Sequence, residues 1–303
     1  TENWLREQWR KTPAPFYSSV DLRNAGFKLA PVDTNLFPAG FNNLNDRFIS
    51  LAVQAAQETL ERLLPGCLRI LLIPENHTRN SFYFENLSTL QDILEKAGFE
   101  VRIGSLLEEM PHAKEIVLAS GARITLEPIV RVADQIKVKD FLPCCILLNN
   151  DLANGIPEIL QGIEQTILPN MNLGWHSRLK SNHFRHYAQV AGEFAQLLGL
   201  DPWLITPLFS RCAEVDFMQR EGEACMMQES QQILHATQKK YDQYHIKEKP
   251  YVVIKADAGS YGMGVLSIHE PDEIQQLNRK KRSDMMVSKG SRSIAEVIIQ
   301  EGV

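Results

Sequence analysis

The feature that most constrains the fold is a strand–helix–strand pattern in the first half of the chain. Residues 68–75 (LRILLIPE) form a short, continuous apolar run, which is typical of a strand buried on both faces. A helical pattern over 81–99 follows and stops at Gly98, and residues 100–106 have the composition of a second strand. Strand, helix and strand in this order predict a βαβ unit, and therefore a parallel sheet.

Other stretches extend this prediction along the chain. Residues 144–151 (CCILLNND) have the composition of another buried strand, and 115–128 that of a small hairpin. A long polar helix is predicted over 223–246. Residues 1–20, by contrast, resemble a surface arm, and 21–44 are rich in Asn, Asp, Gly and Pro, which predicts turns and loops.

The strongest chemical signal is the sequence VVIKADAGSYGMGV in the second half of the chain. A run of β-branched residues predicts a strand, and Lys255 lies at the end of it. Gly259, Gly262 and Gly264 then occupy a short loop that returns into a second strand. Glycines let backbone amides approach phosphate oxygens closely, and a lysine beside them adds a positive charge. The sequence therefore predicts a phosphate-binding loop.

The spacing of this loop excludes three other phosphate-binding motifs. No Gly-Lys-Ser/Thr triplet follows, as a Walker loop requires. No G-x-G-x-x-G pattern occurs, as the Rossmann fold requires. The lysine also precedes the glycines, which is the reverse of the order in protein kinases.

The composition of the chain argues against two kinds of binding partner, nucleic acids and membranes. The chain has 32 Lys and Arg against 37 Asp and Glu, a formal charge of −5, which argues against a general nucleic-acid binder. No apolar run approaches the roughly 18 residues of a membrane span. The polar first residues, TENWLREQWRK, do not resemble a signal peptide. We therefore expect a cytoplasmic protein with neither nucleic-acid nor membrane partners.

The cysteines also suggest the cytoplasm. They are odd in number, form no C-x-x-C pair and lie at Cys67, Cys144, Cys145, Cys212 and Cys225. This pattern predicts a reduced protein without disulfides, in which Cys144 and Cys145 are small apolar fillers of a buried strand.

The order lysine, glycine loop, strand resembles the nucleotide site of the ATP-grasp fold, which clamps ATP between two α+β lobes. Six blocks extend the resemblance to one family, the bacterial glutamate–cysteine ligases related to ATP-grasp enzymes. They run from residue 22 to the last residue and read LRNAGFKLAPVDTNLFPAGFNNL, IPENHTRNSFYFENL, LLNNDLANGIPEIL, GWHSRLKSNHF, VIKADAGSYGMGV and EVIIQEGV.

The resemblance implies an α/β fold with two domains. A parallel-sheet pre-ATP-grasp domain, residues 1–203, would precede an ATP-grasp-like α+β lobe, residues 204–303. Enzymes of this fold hold magnesium with residues beyond the hinge strand that binds adenine. Here the hinge is EVIIQEGV and the chain ends with it, so we expect an incomplete lobe and leave the metal ligands unknown.

The resemblance also implies a reaction, with ATP and Mg²⁺ as cofactors and small molecules as partners. ATP would phosphorylate the side-chain carboxylate of glutamate, and the amine of cysteine would attack the acyl phosphate. The product would be γ-glutamylcysteine, in the first step of glutathione biosynthesis. Two alternatives stay open: an ATP-grasp ligase of another acid and amine, and a non-catalytic nucleotide-binding protein. The oligomeric state is not predicted.

The candidate site residues form three sets. The catalytic candidates are Lys255 and Arg178, although the basic stretch around Arg178 is also compatible with a solvated helix face. The nucleotide set combines lysines, the glycine loop and the hinge: Lys180, Lys255, Asp257, Gly259, Ser260, Tyr261, Gly262, Gly264, Gln300, Glu301 and Val303. The substrate set contains polar groups of loops and strand ends: Asp33, Asn35, Asn42, Asn43, Arg79, Asn149, Asn150 and Asp151.

Overall fold

The computed structural model describes residues 1–75, 80–107, 110–259, 264–286 and 294–303. The α-helices of these ranges are α1 (Glu2–Lys11), α2 (Ile49–Leu63), α3 (Ser81–Lys96), α4 (Lys180–Leu198), α5 (Glu223–Gln243) and α6 (Arg279–Met286). Within the described ranges, no helix is both long and apolar enough to cross a membrane.

The strands alternate with these helices, which makes the fold a mixed α/β one. They are β1 (Ser19–Asn24), β2 (Leu29–Asn35), β3 (Arg69–Pro74), β4 (Glu100–Ser105), β5 (Lys114–Val117), β6 (Arg123–Pro128), β7 (Val130–Val132), β8 (Gln135–Lys137), β9 (Cys145–Asn149), β10 (Thr166–Leu168), β11 (Phe209–Ala213), β12 (Val252–Ala256), β13 (Val265–Ile268) and β14 (Glu296–Glu301).

The chain divides into two compact units. The first unit is discontinuous and comprises Thr1–Lys11, Val20–Asn35 and Trp175–Val303, whereas the second comprises Thr12–Ser19 and Leu36–Gly174. This division differs from a boundary at 203/204, because α4 is bonded to the strands that follow it. The functional division into 1–203 and 204–303 stays a prediction.

The second unit contains the predicted parallel sheet. Its strand order is β10-β9-β3-β4-β6-β5, and every neighbouring pair is parallel except β5 with β6. The prediction that 68–75, 100–106 and 144–151 share one parallel sheet is confirmed, as is the hairpin at 115–128. Strand β3 is buried on both faces: Ile70 packs in the cluster that contains α3, and Leu71 packs in the opposite one.

The first unit contains a four-stranded antiparallel sheet in the order β11-β14-β12-β13. This confirms the predicted strand–loop–strand pattern around Lys255. One face of the sheet is covered by α5, whose Met226 and Ile233 pack with Val252 and Ile254. The opposite face carries the side chains that alternate with these, and it forms the candidate site.

The prediction of irregular structure over 1–44 was wrong in two places. Residues 2–11 form α1, whose Trp4 ring lies 5.3 Å from that of Phe194 in α4. Residues 19–35 form the two-stranded hairpin β1–β2. Five of the six residues of β1 are exposed, so this strand lacks the apolar alternation by which strands are recognised in a sequence.

The prediction of a reduced protein was also wrong. The structure pairs Cys67 with Cys144 and Cys212 with Cys225, with Cα–Cα distances of 5.7 and 6.1 Å. Sequence spacing does not reveal these pairs, because the partners are 77 and 13 residues apart. Cys145 alone is free and fully buried, and this burial raises the pKa of its thiol to about 12. Cys145 therefore acts as an apolar filler, as predicted.

Candidate functional site

A cavity of about 480 Å³ lies in the first unit, against the sheet face that α5 leaves open. The hairpin β1–β2 supplies a further wall, and the first residue of α4 lines it as well. The side chains and backbone that line it come from Asp21, Arg23, Val32, Asp33, Lys180, Tyr251, Val253, Lys255, Ala256, Ala258, Gly259, Val265, Ser267, Gln300, Glu301, Gly302 and Val303.

Strand register fixes the order of these residues along the cavity. Val253 pairs with Gln300 on one side and with Ser267 on the other. Lys255 lies two residues farther along β12, next to the glycine loop. We call the part of the cavity near Gln300 its strand end, and the part near Lys255, next to the glycine loop, its loop end.

At the loop end, the ammonium group of Lys255 donates a hydrogen bond to the backbone carbonyl of Val32 in the hairpin. Burial lowers the pKa of Lys255 to about 8, although the nearby carboxylate of Asp33 opposes this shift. Lys255 is therefore cationic at neutral pH but close to its titration range. A desolvated cation of this kind is well suited to bind an anion.

Lys180, the first residue of α4, is the second lysine of the cavity. Its Nζ donates to both carboxylate oxygens of Asp33, at 2.8 and 2.9 Å, and lies 4.1 Å from the centre of the Trp175 ring. Burial lowers the pKa of Lys180, and the charge of Asp33 acts in the opposite direction. The side chain is thus held between a carboxylate and an aromatic face, with its ammonium in the cavity wall.

Gly259 lines the loop end in a conformation that L side chains rarely adopt, with φ of 110°. Gly264 closes the described part of the loop with φ of 65°, and a Cβ there would lie 3.1 Å from Ile294 Cδ1. Both positions therefore require glycine. The other predicted residues of this loop, Ser260, Tyr261 and Gly262, lie outside the described residues, as does Arg79.

At the strand end, Gln300 is 2% exposed and its Nε2 has no hydrogen-bond partner among the described residues. A buried amide donor without an acceptor is uncommon in a folded protein. Because Gln300 lines the cavity, it is available to a ligand there.

The side chain of Glu301, another residue of the predicted nucleotide set, is bonded within the protein. Its carboxylate accepts hydrogen bonds from Lys28 Nζ at 2.8 Å, Trp203 Nε1 at 2.9 Å and Leu208 N at 2.9 Å. The Lys28 and Glu301 side chains are 1% and 0% exposed. Glu301 therefore ties the end of β14 to the hairpin that walls the cavity, and only its backbone is left for a ligand.

Two further candidates are engaged by the protein itself. The guanidinium of Arg178 donates to the backbone carbonyl and hydroxyl of Thr34 and lies 4.7 Å from the centre of the Trp175 ring. It is not one of the described residues that line the cavity. Asp257 is fully buried and likewise does not line it.

The predicted substrate residues are distributed over both units. Asp33 and Asn35 belong to the first unit, whereas the others that are described belong to the second. In the second unit the amide of Asn149 donates to the Pro38 carbonyl at 2.7 Å, and that of Asn150 to the Pro74 carbonyl at 3.2 Å. At the carboxyl end of β9, these amides therefore hold a loop residue, Pro38, and the last residue of β3, Pro74. Asn42, Asn43 and Asp151 also stay predictions as substrate ligands.

Sequence reasoning missed Asp21, Arg23, Tyr251 and Val253 as lining residues. Tyr251 and Val253 had a usable signal, because residues alternating with Lys255 along a strand share its face. Asp21 and Arg23 had none, since their segment was predicted to be a loop. No group of three or more His, Cys, Asp or Glu able to hold a metal is found in the described part of the chain.

Comparison with known proteins defines the class of this α/β protein as the ATP-dependent ligases that form carbon–nitrogen bonds. The chain belongs to the glutamate-cysteine ligase family, whose model, GshA, matches residues 1–303.

A solved structure supports the same family. The "Putative gamma-glutamylcysteine synthetase" from Methylobacillus flagellatus KT is 50% identical, with a TM-score of 0.92, and the match covers 100% of this chain and 71% of that one. The D-alanyl-alanine synthetase A from Vibrio cholerae O1 biovar eltor str. N16961 is 9% identical over 78% of this chain and 60% of its own. Its TM-score of 0.39 is too low to establish a shared fold. No curated protein matches the sequence.

Proposed function

We propose that the cavity of the first unit is the ATP site of a glutamate–cysteine ligase. The enzyme joins the γ-carboxylate of L-glutamate to the amine of L-cysteine through an acyl phosphate, in the first step of glutathione biosynthesis. The observation that carries the proposal is the make-up of one cavity. At its strand end lies the buried amide of Gln300, whose Nε2 has no hydrogen-bond partner in the part of the chain that the structure describes, and at its loop end lie two lysines.

The strand end fits adenine. A glutamine amide donates from Nε2 and accepts at Oε1, which matches the N7 acceptor and N6 donor of adenine. Val253 and Tyr251 line the same region and offer apolar and aromatic surface for the base. Val303 and the backbone of Glu301 complete this end in the proposal.

The loop end fits the phosphates. Lys255 and Lys180 supply two positive charges, and Gly259 allows close approach of backbone amides. As charge develops on the transferring phosphoryl group, Lys255 would stabilise it electrostatically. Arg178 supports the hairpin wall through Thr34, and we retain it as a catalytic candidate.

The remaining cofactor is a divalent ion, proposed to be Mg²⁺. An ion held mainly by ATP phosphates needs only one or two protein carboxylates, and Asp21 and Asp33 both line the cavity. The proposal further includes an ATP-grasp-like layout of the first unit and a cytoplasmic location. The antiparallel strand–glycine loop–strand and the flanking lysines support this layout.

An amino-acid screen tests the proposed function. The full-length protein is incubated with ATP, Mg²⁺ and pairs of amino acids, and ADP and the ligated dipeptide are measured by coupled assay and mass spectrometry. We expect turnover with glutamate and cysteine, and little when aspartate replaces glutamate or serine replaces cysteine. Turnover with another pair alone would favour a different ligase. ATP binding without turnover for any pair would favour the non-catalytic alternative.

The lowered pKa of Lys255 predicts a pH dependence of ATP binding. Below pH 8 the side chain is cationic and affinity is at its full value. Above pH 8 the Lys255 side chain must take up a proton when ATP binds, so the affinity for ATP falls by at most about tenfold per pH unit. This decline extends up to pH values near the ordinary lysine pKa of about 10.4. Calorimetry between pH 7 and 10 measures this. In Lys255→Arg, whose guanidinium does not titrate in this range, the decline should be smaller, because Lys180 is then the one lysine of the pair that can still titrate; an equal decline would contradict the assignment.

A further inference from the structure

Asp257 is a buried carboxylate that lies two residues after Lys255 and two before Gly259. It is 0% exposed, and its carboxylate accepts hydrogen bonds from Ser181 N at 2.7 Å and Ser181 Oγ at 2.6 Å. Arg211 Nε lies 3.3 Å from Asp257 Oδ2. Since the carboxylate has these partners and does not line the cavity, it is not placed to touch the nucleotide.

These contacts fasten the amino-terminal turn of α4. The residue before this helix is Leu179, and its side chain makes no capping hydrogen bond. Asp257 replaces the missing cap from another element: its carboxylate accepts from Ser181 N, and its backbone carbonyl accepts from Lys180 N at 2.7 Å. A negative charge at a helix amino terminus is also electrostatically favourable.

The helix end that Asp257 holds is the one that carries Lys180. Directly after β12, Asp257 N donates to Glu296 O at 3.1 Å, which continues the pairing of β12 with β14 by one residue. One residue is therefore bonded both to the strand that carries Lys255 and to the helix that carries Lys180.

We propose that Asp257 is a positioning residue that keeps Lys180 in register with Lys255 and the glycine loop, so that both ammonium groups reach the same phosphates. This inference rests on the proposed function. It replaces the prediction that Asp257 contacts the nucleotide. Ser181 and Arg211, which contact the carboxylate of Asp257, would help to hold that carboxylate in place. The effect of Asp257 on ATP binding then passes through Lys180.

A double-mutant cycle tests this dependence. ATP affinity and unfolding free energy are measured for the wild type, Asp257→Asn, Lys180→Met and the double variant. Asp257→Asn should weaken ATP binding about tenfold, comparable with the loss of one charge-assisted contact. In the Lys180→Met background the same change should alter affinity less than about twofold, because groups that act together are not additive. Its effect on the free energy of unfolding is measured in both backgrounds as well, because the charges of Asp257 and Lys180 also interact directly.

Controls separate positioning from a general loss of structure. Asp216→Asn changes a carboxylate that accepts from Met218 N at 2.7 Å in a turn away from the cavity, and it should leave ATP affinity unchanged. Ser181→Ala should reproduce part of the Asp257→Asn effect, and Ser181→Thr should restore it. If Asp257→Asn does not fold, the Ser181 variants complete the cycle with Lys180→Met.

The outcomes also separate the inference from the proposed function. Wild-type protein that fails to bind ATP would overturn the proposed function and this inference with it. Wild-type binding with an equal loss for Asp257→Asn in both backgrounds, or with no loss in either, would overturn the inference alone.

Discussion

Lys255→Met is expected to weaken ATP binding by ten- to a hundred-fold while the protein stays folded. The substitution removes a cation from the loop end of the cavity, while the phosphates must still leave water to bind there. A charge-assisted contact contributes roughly 1.5–3 kcal/mol, which corresponds to about ten- to a hundred-fold in affinity. If Lys255 also stabilises the transferring phosphoryl group, kcat falls as well.

Calorimetry with ATP on both proteins measures this effect, with folding verified by circular dichroism. Lys249→Met is a matched control, because Lys249 is exposed and belongs to a groove other than the proposed ATP cavity. Its ATP affinity should equal that of the wild type, and glutamate affinity should change little in either variant. Equal ATP affinities of the wild type and Lys255→Met would remove Lys255 from the site.

Lys28→Met should lower the free energy of unfolding by about 3–5 kcal/mol, because removing one partner leaves a buried charge uncompensated. The Lys28–Glu301 pair has a separation of 2.8 Å, and both side chains are at most 1% exposed. Methionine fills nearly the same space but cannot neutralise Glu301. Burial lowers the pKa of Lys28, and the charge of Glu301 opposes that shift and so favours the ionised form of Lys28.

This effect is measured by comparing the denaturant unfolding of Lys28→Met with that of Lys11→Met. Lys11 pairs with Glu7 at 3.0 Å, but the two side chains are 60% and 59% exposed. An exposed pair of this kind contributes about 0–1 kcal/mol, so the same substitution there should have a small effect. Equal losses for the two variants would show that burial of the Lys28–Glu301 pair does not determine its contribution.

The elements that sequence reasoning predicted well have strong local signals. Strand β3 is a continuous apolar run, α3 ends at a glycine, and the stretch around Lys255 is a strand between turns. Lys255 and the glycine loop were selected because phosphate binding needs a particular order of residue types, and their role in that binding stays a prediction. Lys180 was a candidate from the basic stretch around Arg178, and the structure places it in the same cavity as Lys255.

The remaining features depend on contacts that no local pattern encodes. Glu301 and Asp257 belong to the expected motif, but their carboxylates point to Lys28 and Ser181 rather than to the cavity. The direction of each side chain is set by hydrogen-bond partners that lie far away in the sequence. Lys28 is 273 residues from Glu301, and Ser181 is 76 residues from Asp257. The exposed strand β1 was missed for a related reason, because its role is to wall a cavity rather than to fill a core.

The discontinuity of the first unit has a consequence for synthesis. Along the chain, residues 36–174 form an insertion within that unit, so a nascent chain completes the second unit first. The hairpin β1–β2 then waits, with Lys28 unpaired, until β14 has left the ribosome. At about 5–20 residues per second, this wait lasts on the order of ten seconds or more. During that time the hairpin lacks its partner in β14.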